Sequence, residues 1–241
     1  ITDAQYNEAT GGQLALNFRR IDHKDGIATY FRDFLRRYIM AEKPELDDYP
    51  SWNRVQYNID SIAWETDPLY GWCNKNYKKN GEHYNVYTDG LKIFTTIDSR
   101  MQRYAEEAVL KHVGHYLQPA FSKENRTKPN APFTNALTAA EVRGILNRSI
   151  RQSERYRAMK EQGATEDEIQ KAFRTPVEMS VFTYHGDVDT VMTPLDSIRY
   201  IKSFLRAGFV SMDPKNGAVK AYVGGVDFTH FAYDLATQGR R

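Results

Sequence analysis

His112 and His115, three residues apart, are the first pair whose types and spacing could do chemistry. On a helix that spacing can turn two imidazoles toward one metal ion. No third ligand stands near them in the sequence, so an ordinary surface pair is expected. His185-Gly186-Asp187-Val188-Asp189 carries an Asp-x-Asp, a pattern that can hold a divalent cation with a nucleotide sugar. Gly186 beside it points instead to a turn. Lys79-Asn80-Gly81 and Lys215-Asn216-Gly217 have the outline of the Lys-Thr-Gly of serine acyl-transferases, but both lie among turn residues. Asn125-Arg126-Thr127 and Asn147-Arg148-Ser149 match the glycosylation sequon, the second inside a predicted helix. A Gly-rich phosphate loop, Gly-x-Ser-x-Gly, Ser-x-x-Lys and His-Glu-x-x-His are all absent from the sequence. No catalytic residue, cofactor or metal is therefore expected of this chain.

Composition narrows the classes further. Hydrophobic residues make up 41% and charged residues 27%, with a mean hydropathy of −0.67, a well-solvated chain with a modest core. No run approaches the roughly 18 apolar residues that a membrane-spanning helix needs. The opening Ile1-Thr2-Asp3 lacks the basic start and apolar run of a signal peptide, so the chain reads as a piece of something longer. A net charge of +2 with interspersed signs argues against a nucleic-acid partner. Cys73, the single cysteine, cannot form an internal disulfide. The 16 tyrosines suit core contacts with a polar tip, or alternatively a sugar-stacking surface.

The elements that would position these residues can be read in order. Thr2-Asp3-Ala4-Gln5 is a capping box, and Gly11-Gly12 ends its helix. After Asp25-Gly26, the residues Ile27, Tyr30, Phe31, Phe34, Leu35, Tyr38 and Ile39 form one face of a helix over 27–40 that packs against the body of the domain. Residues 44–89 lack a sustained period and read as an irregular connector packing Trp52, Trp64 and Trp72. Residues 90–97 read as a strand, and Asp98 caps a helix striped by Met101, Tyr104, Ala105, Ala108, Val109, Val113, Tyr116 and Leu117. Pro119, Pro129 and Pro132 make 118–137 a loop. Capping boxes at Thr138 and Thr165 open a long polar helix to about 162 and a short helix stopped by Pro176. Val177 to Tyr184 alternates as a strand, and Thr193-Pro194-Leu195-Asp196 starts a helix to about Arg206. A hairpin follows, with strands 209–212 and 218–223 around Asp213-Pro214-Lys215-Asn216-Gly217. The fold class is α+β: helices packed on a small, mostly antiparallel sheet, with a long irregular aromatic-rich connector.

Two blocks resemble a known family. Gly90-Leu91-Lys92-Ile93-Phe94-Thr95-Thr96-Ile97-Asp98, with Met101-Gln102 and Ala105-Glu106-Glu107-Ala108-Val109, is similar to the start of the transpeptidase region of class A penicillin-binding proteins. Phe209 through Gly225, ending in Val223-Gly224-Gly225, resembles the first hairpin of that domain's sheet. Thr237-Gln238-Gly239-Arg240-Arg241 stands where the family's Arg-Gln-x-Gly-Ser-x-x-Lys begins, and Ile1 to Tyr6 looks like the tail of its glycosyltransferase domain. The resemblance implies five parts: 1–43, the glycosyltransferase tail and linker helix; 44–89, the connector; 90–117, the opening of the transpeptidase; 118–205, a mostly helical insertion specific to the lineage; and 206–241, the truncated hairpin. It implies a parent that polymerises lipid II and cross-links stem peptides at the outer face of the cytoplasmic membrane, anchored upstream of Ile1. Neither the family's Ser-x-x-Lys, with its nucleophilic serine, nor its Lys-Thr-Gly is carried here, so no catalytic residue transfers. The chain is then expected to be a non-catalytic linker and transpeptidase opening, partnered by the rest of the synthase on both sides. The alternative is an interaction module that binds peptidoglycan or an accessory protein through 118–205. An independent metal or sugar enzyme built on His112/His115 or Asp187/Asp189 is the third reading.

Overall fold

The structure, a computed structural model, describes residues 2–11 and 26–238. Ile1, Gly12, Asp25 and the end of the Thr237–Arg241 stretch, all used in the sequence reading, lie outside the described residues.

Helix α1 spans Asp3–Gly11, and Thr2 and Gln5 exchange the two bonds of the expected capping box. Helix α2 spans Thr29–Ile39. Its stripe is only partly covered: Tyr30 and Ile39 are buried, Phe31, Phe34, Leu35 and Tyr38 are half-buried, and Ile27 is exposed. The connector is more regular than expected. Two short 3₁₀ turns lead into helix α3, Arg54–Thr66, and a single turn, α4, covers Trp72–Lys75. Val55, Ile59 and Ile62 follow helical spacing, but the Asn, Asp and Ser residues between them hide the period in the sequence. All three point outward (71%, 54% and 63% exposed), so α3 is not held by burial of that stripe.

Residues 90–97 form no strand. Phe94 is almost fully exposed. A continuous helical rod then runs from α5, Ser99–Val109, through a π-helical stretch, Leu110–Leu117, into α6, Gln118–Asn125. Asp98 caps it by accepting from the backbone N–H groups of Arg100 and Met101. The expected loop at 118–137 therefore starts later, after Asn125. Pro119 does not stop the rod because the π-register ends at Leu117, and Pro119 falls in the first turn of the new α-register, where its missing N–H is tolerated.

The expected helix to 162 is two: α7, Ala139–Gln152, and α8, Glu154–Glu161. Ser153 breaks them because its hydroxyl accepts from Tyr156 N–H and caps the second. Helix α9 spans Glu166–Arg174, and both Thr capping boxes form as expected. Strands β1, Val177–Val181, and β2, Val188–Met192, pair antiparallel, Val177 opposite Met192. The partner strand β2 was not expected. Helix α10 spans Pro194–Lys202 under its Thr193 cap. Strands β3, Phe209–Met212, and β4, Val219–Val223, form the expected hairpin. The two hairpins stay separate: neither 90–97 nor 177–184 enters the β3–β4 sheet. Apolar cores lie where α7 and α9 meet (Ile150, Ile169, Phe173) and where α5 covers β4 (Ala105, Ala221, Val223).

Candidate functional site at the helix–hairpin junction

A closely hydrogen-bonded junction joins α2, α5 and the β3–β4 hairpin. Strand β4 leaves one edge without a strand partner, and a buried side chain takes the strand's place. Gln102 is fully buried; its amide Nε2 donates to Tyr222 C=O at 2.8 Å, and its Oε1 accepts from Tyr222 N–H at 2.7 Å. The same Nε2 also donates to Glu106 Oε1 at 2.8 Å. Further along the edge, Asp98 N–H donates to Lys220 C=O at 2.9 Å, and the Thr96 hydroxyl donates to Val219 C=O at 2.7 Å. A carboxamide offers one donor and one acceptor at the spacing of a peptide group, so it satisfies a backbone pair that burial would otherwise penalise. The expected α5 stripe is rotated as a result. Met101 and Tyr104 are exposed, while Gln102 and Ala105 face the sheet.

Helix α2 is pinned to the same place. Ala28 adopts a left-handed φ of 56°, and its N–H donates to Glu106 Oε1 at 2.7 Å. Tyr30 lies across Gly224 and Gly225, where a Cβ on Gly225 would sit 2.2 Å from its hydroxyl oxygen. That hydroxyl is directed at the C=O groups of Phe231 (2.6 Å) and Asp227 (2.9 Å). Burial raises the Tyr30 phenol well above its ordinary value, with the charge of Asp227 adding to it. Tyr222 donates to the buried Asp234, and its phenol is raised by burial first and by that bond second. The Val-Gly-Gly of the sequence is thus a landing for an aromatic ring, a reason that only the fold reveals.

The residues that suggested chemistry are placed elsewhere. His112 stacks on Tyr116 and His115 stacks on His185 at 5.3 Å, so they do not share a target. The π-register widens the turn, and residues three apart diverge on it. Asp187 lies 3.4 Å from His230 Nε2, whose Nδ1 is 2.8 Å from Asp227. Asp189 sits in β2 opposite Ser180 and lines a different cavity. Among the described residues no group of three or more His, Cys, Asp or Glu side chains is placed to hold a metal ion. Both Lys-Asn-Gly triplets are turns: Gly81 and Gly217 take left-handed φ, and Asn80 and Asn216 accept from the N–H groups of Glu82 and Ala218. The loop between β1 and β2 instead does docking work. Tyr184 packs on Gly114, where a Cβ would come within 2.4 Å of its ring, and donates to Leu205 C=O.

Residues 128–205 match the family of the penicillin-binding protein middle domain. This lies within the stretch that was expected to be a lineage-specific insertion and that the sequence resemblance did not reach; its polar, capped helices resemble many others. Penicillin-binding protein 1A of Escherichia coli is 26% identical over 227 residues, covering 78% of this chain and 25% of that protein. Penicillin-binding protein 1A of Neisseria flavescens is 24% identical over 223 residues, covering 79% of this chain and 26% of that protein. The protein of the same name from Vibrio cholerae serotype O1 is 24% identical over 191 residues, covering 65% and 23%. The chain spans about a quarter of the length of the curated relatives it matches. No solved structure matches it. A match to this middle-domain family, inside a chain that aligns with these relatives over most of its length, supports a fragment of a class A penicillin-binding protein.

Proposed function

We propose that this chain is the non-catalytic linker and transpeptidase opening of a bifunctional peptidoglycan synthase, acting at the outer face of the cytoplasmic membrane. Its work is mechanical: to hold the segment entering through α2 at a set position on the first hairpin of the transpeptidase sheet. The observation that carries this reading is Tyr30 seated on Gly224-Gly225, with Ala28 N–H tied to Glu106 and Gln102 closing β4. A glutamine and a carboxylate so deeply engaged are suited to positioning rather than to turnover. Among the described residues no helix is long and apolar enough to cross a membrane.

The test uses the whole parent protein. Tyr30→Ala should reduce acylation by a fluorescent penicillin while glycan polymerisation by the same preparation is retained. Loss of both activities together, or of neither, would remove the linker reading. The 241-residue chain alone should take no covalent penicillin label. A labelled band at its mass, abolished by excess unlabelled drug, would show chemistry where none is proposed.

A further inference from the structure

A second feature that the linker role does not use lies where α6 meets the 128–205 segment. Between α6, the 126–132 segment and α10 lies an open cavity of about 500 Å³, lined by Phe121, Asn125, Arg126, Pro132, Met192 and Arg199 among others. Its polar groups are unbalanced toward donation. The Asn125 side-chain Nδ2 is buried and has no hydrogen-bond partner. Among the described residues Arg126 makes no ion pair, and Arg199 reaches only Asp196, at a long 3.9 Å. Asp196 is already occupied by the α10 cap, accepting from the Thr193 hydroxyl at 2.6 Å. Ser122 Oγ accepts from Gln118 Nε2, which leaves its own hydrogen to donate. The hydroxyls of Tyr200 and Ser203 donate to the backbone, at Phe182 C=O and Tyr200 C=O. The cavity therefore offers two guanidinium groups, an amide and a hydroxyl as donors against one committed carboxylate.

The Asn125 amide is a buried donor without an acceptor, and the exposed guanidinium groups of Arg126 and Arg199 line the same cavity, so the natural complement is a planar anion with several lone pairs. Arginine forks fit a carboxylate in this way. Phe121, Pro132 and Met192 give the same cavity an apolar wall. A free inorganic anion would leave that wall uncovered, whereas an amino-acid residue would cover it with its aliphatic part. The volume falls in the range of small-ligand sites and would hold a dipeptide. From this charge and shape complementarity we infer that the cavity between α6 and α10 is a binding site for a peptide carrying a free carboxylate.

The test is a titration of the full chain with N-acetyl-Ala-Ala bearing a free C-terminal carboxylate, compared with its C-terminal amide and with inorganic phosphate. Calorimetry gives the affinities, and amide chemical shifts locate the site. The carboxylate form should bind at least about tenfold more tightly than the amide, since a charge-assisted bond is worth that much or more. Shifts should cluster at 118–132 and 192–203. Arg126→Gln combined with Arg199→Gln should erase the preference without lowering the melting temperature, because both side chains are exposed. Asn125→Asp should reverse the preference toward the amide. Equal affinity for acid and amide, shifts outside the cavity, or phosphate binding as tightly as the peptide would each overturn the inference.

Discussion

Replacing Gln102 by methionine tests the central structural claim. Methionine keeps the volume and removes the amide, so packing changes little while three hydrogen bonds are lost. The cost is set by what remains. Tyr222 N–H and C=O are left inside, beside a fully buried position 102, and each buried unsatisfied polar group costs about 1–3 kcal/mol. The sum is about 2–6 kcal/mol, a large share of the stability of a domain of this size. Urea unfolding followed by tyrosine and tryptophan fluorescence measures it, and hydrogen exchange at Tyr222 N–H reports the site directly. A Gln102→Glu variant separates hydrogen bonding from shape. Its carboxylate would face Tyr222 C=O and Glu106, both acceptors, so its folded pKa would be raised above the unfolded value near about 4.3. A raised carboxyl favours folding below the unfolded pKa and loses that contribution as pH rises through the folded one. Gln102→Glu should therefore be close to wild type near pH 4 and clearly weaker at pH 7. A loss below about 1 kcal/mol for Gln102→Met, with Tyr222 exchange unchanged, would refute the idea that the side chain replaces a strand.

Other outcomes follow from the same contacts. Gly225→Ala should cost about 1–3 kcal/mol because the new methyl meets the Tyr30 hydroxyl; with Tyr30→Ala the two losses should be less than additive, as a double-mutant cycle would show. Phe173→Ala, in the α7–α9 core, should cost about 3–5 kcal/mol, while half-buried Phe31→Ala should cost only about 1–2 kcal/mol by thermal or urea unfolding. Burial, with the bond to Asp67, pushes the Tyr38 phenol up to about 12, and that bond is the main cause holding the Asp67 carboxyl below its usual range. A lowered carboxyl stabilises above its unfolded pKa and loses that contribution as pH falls, so Tyr38→Phe should flatten the acid limb of the stability profile below about pH 4. Strand β3 keeps a free edge beside exposed Phe209, Val210 and Met212, so light scattering should detect self-association at high concentration. A monomer with slowly exchanging β3 amides would show that edge to be covered.

Local chemistry was legible from the residues alone. The Thr138 and Thr165 capping boxes, the Thr193-Pro194 start, the Asp98 cap and the β3–β4 turn all form where the sequence places them, because each is decided within a few residues of chain. What depended on distant contacts was not legible. Residues 90–97 have the composition of a strand, yet they add no strand to β4, whose edge Gln102 already occupies. Gln102 itself reads as an ordinary polar helix residue, since nothing nearby in sequence announces that Tyr222, 120 positions away, needs its amide. The two histidines at helical spacing diverge because the rod adopts a π-register that places Gly114 under Tyr184. The α6–α10 cavity brings Arg126 and Arg199, 73 positions apart in the sequence, to one site only through the tertiary fold. Short-range hydrogen bonds are settled by neighbouring residues in the chain, whereas pairing of buried donors and acceptors across the fold is settled only by which surfaces meet.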